Sequence, residues 1–300
     1  MASLKKTTAC FLAATLTLGF CACGTDMSKE NENGKLVNAE EASAVMTGIK
    51  LRTDEMNVEG LGKLSYVLKM DVDGGITTNK VDFSKADNYF RSCIIQENIK
   101  VEKGYEEEYK EYLGTIHHNW TNLYHYIDEQ DQRIFATNTY SDATLKDEET
   151  GEFKRSQSDE KGYKILSETT EDSEAGFHNS ILTQLSDFLS QYLEYTSQAM
   201  VILEPFVSVG TTPVGPLLME VRSKGEGHLF FKYDMLSTLG VYQELEFNGY
   251  ELTYMKTVTD NTVTGITAAG FNKSTIEIFF KNGQCDFEYP NLSEYTLLQS

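Results

Sequence analysis

The chain has 300 residues, 40% hydrophobic, 11% aromatic and 24% charged, a globular composition long enough to bury a core. Its 46 Asp and Glu outnumber 26 Lys and Arg, leaving a formal charge of -20. That balance argues against a basic face for the phosphates of nucleic acid and against a polybasic patch for anionic lipid.

The N-terminal run MASLKKTTACFLAATLTLGFCACGTDMSKENENGK places Lys5 and Lys6 before an apolar stretch from Ala9 to Phe20, followed by small residues. This is the layout of an export signal, too short for a comfortable membrane span. The small residues before cysteine resemble the lipobox of bacterial lipoproteins, in which the cysteine is lipidated and becomes the new N-terminus. Cys23, between Ala22 and Gly24, fits that role better than Cys21, which follows bulky Phe20. The other reading of the same residues is a secreted protein cleaved near Ala22. The lipobox resemblance implies a signal peptide over 1–22, a lipidated cysteine and polar tether over 23–40, and a single extracytoplasmic domain over 41–300. It also implies a bacterial cell membrane as the location, held by the N-terminal lipid. Loss of residues 1–22 removes two lysines and no carboxylates, so the charge moves from -20 to -22.

Along the body, Ala39 to Ile49 is rich in helix formers. Leu64, Tyr66, Leu68, Met70 and Val72 then alternate with mostly polar neighbours, which predicts a half-buried strand ending at the Asp73-Gly74 turn. A helix is expected near Ala86 to Gln96, and a solvated helical face in GYEEEYKEYLG. From Trp120, WTNLYHYID and RIFATNTYSD read as two strands about the polar turn EQDQ. Between Lys146 and Glu174 stand ten carboxylates and five basic groups, the composition of an exposed edge or loop.

The clearest helical period runs from about Ser173 to Met200, with Phe177, Ile181, Leu185, Phe188, Tyr192 and Thr196 at steps of three and four. An apolar loop follows, carrying Phe206 and Val209 among Pro205, Pro213 and Pro216, and such loops are often functional. Two Asn-Gly pairs then predict hairpins. The first pairs Phe247 with Tyr250 and Leu245 with Leu252. The second pairs Phe280 with Cys285, Ile278 with Phe287 and Ile276 with Tyr289, and sets Glu277 against Glu288.

GxSxG, the P-loop, GxGxxG and HExxH are missing, and no catalytic residue, metal site or cofactor is assigned. His117, His118 and His125 read as surface or packing residues. Cys93 and Cys285 are open to two readings, a long-range bridge or two small buried hydrophobes. The 17 tyrosines and single Trp120 raise a stacking surface for sugar or peptide, although strands favour aromatics in any case.

The element order predicts an α+β fold, a curved antiparallel sheet of half-open, barrel-like form packed against a long amphipathic helix. In order and export this is similar to the LolA-like and LppX/LprG-like lipoprotein carriers, and the similarity implies a cleft for acyl chains between sheet and helix. The cleft candidates are Phe177, Ile181, Leu185, Phe188, Phe206, Val209, Leu245 and Leu252. Two functions follow: binding of an apolar or amphiphilic, lipid-like ligand in that cleft, or an envelope interaction module that binds protein or glycan on its outer surface around a filled core.

Overall fold

The computed structural model describes residues 32–37, 39–56, 62–103, 111–166, 189–190, 192–201, 219–265 and 271–298. Its strands are β1 (Lys35–Leu36), β2 (Lys63–Val72), β3 (Gly75–Ser84), β4 (Tyr89–Lys103), β5 (Glu111–Ile127), β6 (Arg133–Lys146) and β7 (Phe153–Leu166). They continue with β8 (Met219–Ser223), β9 (Leu229–Met235), β10 (Val241–Asn248), β11 (Glu251–Asp260), β12 (Lys273–Asn282) and β13 (Thr296–Leu297). All lie in one open sheet of 13 strands, ordered β1-β8-β9-β10-β11-β12-β2-β3-β4-β5-β6-β7-β13. Every pairing is antiparallel except that of β13 with β7.

Two meanders make this order. Strands β2 to β7 form one and β8 to β12 the other, and they join where β12 pairs with β2, setting Ile278 against Leu68 and Phe280 against Tyr66. The expected strand at Lys63 and its Asp-Gly turn are present, with Asp73 and Gly74 both at positive φ. The Asp73 carboxylate accepts hydrogen bonds from the N–H groups of Asn272, at 3.0 Å, and Lys273, at 2.8 Å. The turn of one meander is thereby tied to the start of the last long strand of the other.

Among the described residues, the two sheet faces are covered at opposite ends. On the first, α1 (Ala39–Glu55) and α2 (192–201) bury Ile49, Tyr192 and Ala199 against Leu64, Phe83, Phe231, Leu245, Phe247, Leu252, Ile278 and Phe280. On the second, Tyr89, Tyr124, Tyr126, Ile134 and Ala136 form a smaller core, packed by Cys285, Leu292 and Tyr295 of the C-terminal segment. We call these the helix face and the strap face. Strand alternation sends Phe90 to one and Tyr89 to the other.

The expected half-open sheet under a long amphipathic helix is overturned. The structure is mostly one open sheet, and among the described residues the longest helix is the 17-residue α1. Of the stretch 173–200, residues 173–188 lie outside the described residues, and 189–190 and 192–200 are helical. The helix expected near Ala86 to Gln96 is instead the start of β4. Tyr89 and Phe90 are both buried, so the period-two signal of a one-sided strand is hidden there.

Both hairpin registers are also corrected. At the first, the two loop residues are Gly249 and Tyr250, both at positive φ, and Phe247 pairs with Leu252, followed by a bulge that sets Leu245 against Met255. The Tyr250 ring fills space above Gly48 of α1 and beside Gly227, where a Cβ at Gly48 would fall 2.3 Å from it. At the second, Gly283 turns the chain, but β12 pairs with β11 and β2, and residues 284–290 are not a strand. Glu277 and Glu288 therefore do not meet: Glu277 accepts from the Tyr254 hydroxyl at 2.9 Å, and Glu288 pairs with Arg91.

His125 sits on the helix face, 4% exposed, with its ring 4.7 Å from that of Phe135 and 6.2 Å from that of Phe90. Burial lowers its pKa from 6.5 to about 4. The unfolded chain binds the proton more readily, so the stability that neutral His125 supports is intact above pH 6.5 and is lost as pH falls through about 4. The full loss is roughly 3 kcal/mol. Urea denaturation of His125→Leu beside the wild type should show the variant gaining relative stability between pH 7 and pH 4.5; parallel pH profiles would refute it.

Candidate functional site

The C-terminal segment crosses the strap face as a clamped strap. The Tyr89 hydroxyl donates to the Glu288 carbonyl at 2.7 Å and accepts from the Glu288 N–H at 2.9 Å. Beside it Arg91 Nη1 meets Glu288 Oε2 at 2.5 Å and lies 3.7 Å from Asp82 Oδ2, with its guanidinium over the Tyr124 ring. Burial raises the pKa of Asp82, opposed by the Ser65 hydroxyl, which donates to Asp82 at 2.7 Å, and by Arg91. Further along, Lys161 pairs with Glu294 at 3.0 Å before β13 closes on Gly162 and Tyr163.

Beyond the strap, strands β4 to β7 present a row of Ile95, Trp120, Tyr140 and Asp159, each opposite the next. The Trp120 and Tyr140 rings are near parallel, 18° apart with centroids at 6.1 Å. The His118 ring lies 5.9 Å from Tyr140, and its Nδ1 is 3.4 Å from Glu97. Asp142 borders the group and receives both Nε, at 2.8 Å, and Nη2, at 2.7 Å, from Arg155. These hydrogen bonds hold its carboxyl at a pKa of about 2, well below the usual range. The result is a half-buried aromatic platform on rigid strands, rimmed by carboxylates and one guanidinium.

The helix face of the same strands carries a shallow depression of about 470 Å3, lined by Ile94, Gln96, Asn119, Thr121, Ser141 and Glu160 among others. Its lining mixes polar and apolar surface in similar measure, and Trp120 and Tyr140 contribute to it.

Of the cleft candidates, Leu245 and Leu252 are 1% and 0% exposed and pack into the main core beneath α1 and α2. Cys21, Cys23, Phe177, Ile181, Leu185, Phe188, Phe206 and Val209 lie outside the described residues. The three histidines diverge: His125 is in the core, His117 bonds the Thr144 hydroxyl at 2.8 Å, and His118 stands on the platform. No group of His, Cys, Asp and Glu among the described residues is arranged to hold a metal. Cys93 and Cys285 are free thiols in the structure. Burial pushes both up, Cys285 to about 12, so neither is a thiolate nucleophile at neutral pH.

Sequence reasoning named Trp120 and His118 without assigning them to a site, and missed Tyr140, Asp142 and Arg155 as their neighbours. The turn signal alone was one residue off: with EQDQ as the turn, counting outward from Asp128 and Arg133 sets Trp120 opposite Ser141, whereas the observed pairing of Ile127 with Arg133 sets it opposite Tyr140.

An NMR titration of the Asp142 carboxyl should give a midpoint near 2 in the wild type and an ordinary carboxylate value in Arg155→Gln. An unchanged midpoint would show that Arg155 does not hold the charge. The chain matches no protein-family model, and no curated protein matches it.

Proposed function

We propose that this protein is a lipid-anchored, extracytoplasmic surface protein of a bacterium, and that it binds neutral glycan on the Trp120–Tyr140 platform. The carrying observation is the pair of near-parallel rings flanked by Glu97, Asp142 and Asp159 on adjacent strands. A sugar ring offers an apolar face of C–H groups and a rim of hydroxyls, so it is met by an aromatic face with carboxylate acceptors around it. The excess of acidic groups favours a neutral glycan over an anionic one. The surface reading is preferred to the apolar cleft because Leu245 and Leu252, offered as cleft walls, are core residues without solvent contact. The membrane attachment rests on the lipobox-like residues around Cys23, because an acidic body has no electrostatic hold on an anionic bilayer.

The full chain applied to a glycan array should retain neutral oligosaccharides. Trp120→Ala and Tyr140→Ala should each weaken that binding about tenfold, with the denaturation midpoint nearly unchanged. No retained glycan, or binding indifferent to both changes, would sink the glycan reading. Separately, Cys23→Ala should abolish incorporation of labelled fatty acid and release the protein from membranes. Loss of label on changing Cys21 alone would move the anchor to that residue.

A further inference from the structure

Strand β7 is the last long strand at its end of the sheet. Its inner edge pairs with β6 along its whole length, while on its outer edge β13 covers only Gly162 and Tyr163. Residues 153–160 are all exposed. The Tyr163 carbonyl points to the outer edge, where the Leu298 N–H donates to it at 2.8 Å. By the antiparallel pattern, the N–H and C=O groups of Lys161, Asp159, Gln157, Arg155 and Phe153 point to the same side. Among the described residues no strand pairs with them.

We propose that this edge pairs with β7 of a second copy of the chain, antiparallel about a two-fold axis at Gln157. Read against its own reverse about Gln157, the strand sets Arg155 opposite Asp159 and Lys154 opposite Glu160 of the second copy, with Ser156 opposite Ser158. Odd positions share the strap face with Tyr163 and even positions the helix face, so both faces carry an opposite-charge pair across the junction, each repeated by the two-fold. The axis falls on a residue whose backbone groups point outward, as a hydrogen-bonded pair at the centre requires. Moving it to Ser158 would set Arg155 opposite Lys161, two cations, so the charges select one register.

The existing partners leave room for these pairs. Asp159 and Glu160 have no ion pair among the described residues. Arg155 uses Nε and Nη2 on Asp142 and keeps Nη1. Lys154 meets Asp147 through a half-exposed ammonium. Two copies of a chain at -20 repel each other, yet residues 153–161 hold three cations against two anions. Charged edges ordinarily discourage pairing. Here the same charges turn away unrelated strands and match their own copy.

A cysteine at the axis tests the geometry, because a hydrogen-bonded antiparallel pair holds its Cα atoms about 5.5 Å apart, within disulfide reach. Full-length Gln157→Cys under mild oxidation should give a covalent dimer on a non-reducing gel. Wild type and Asp131→Cys, which places its thiol at the exposed β5–β6 turn, should not. Adding Glu160→Lys to Gln157→Cys should lower the dimer yield at least fivefold, and adding Lys154→Glu as well should restore it. No dimer from Gln157→Cys, an equal band from Asp131→Cys, or no recovery in the charge-swapped variant would each overturn the proposal.

Discussion

The pairing of β2 with β12 is the junction on which the molecule depends. It joins residues 64–72 to residues 274–282, and without it the two meanders would be separate sheets with bare edges. Closing a loop of about 200 residues costs roughly 5 kcal/mol of chain entropy on polymer scaling. That cost is offset at one place by several kinds of contact. The ladder supplies backbone hydrogen bonds, Tyr66 stacks on Phe280 at 6.0 Å, and the Asp73 carboxylate holds the first amides of β12. Ile278, fully buried beside them, lies on the face that the helices cover.

Among the described residues, helices cover one face at one end of the sheet and the strap covers the other face at the other end. β4 is where the covers change sides, and its neighbours Tyr89 and Phe90 serve the two cores in turn. The Arg91 guanidinium next to them is nearly buried and is held between Asp82, Glu288 and the Tyr124 ring. Such a charge is costly unless paired, so the strap and the end of β3 are bound to the same guanidinium.

How much of this was legible depended on which contacts were local. β2, its Asp-Gly turn and the β5–β6 hairpin were readable because one short turn and alternating residues specify each. The second hairpin's expected register put Cys285 beside Phe280, yet Phe280 lies in the core under the helices while Cys285 packs against the tyrosine cluster of the other face, from the strap. The second Asn-Gly misled because a turn signal says that the chain reverses and not which strand occupies the adjacent edge. That edge belongs to Lys63–Val72, two hundred residues earlier. β4 misled because a strand buried on both faces loses its alternation. In the platform, Trp120 was visible as a residue and invisible as a site, since its neighbours Ile95, Tyr140 and Asp159 come from three other strands.

The strand order also fixes reach. β1, the first strand, pairs at one extreme of the sheet with β8, and the Val37 N–H extends that pairing to the Val221 carbonyl at 3.0 Å. The aromatic row on β5 and β6 begins nine strands away. At about 4.8 Å per strand this is some 45 Å of rigid, hydrogen-bonded width. Strand count thus sets the distance between the N-terminal end of the sheet and the Trp120–Tyr140 pair.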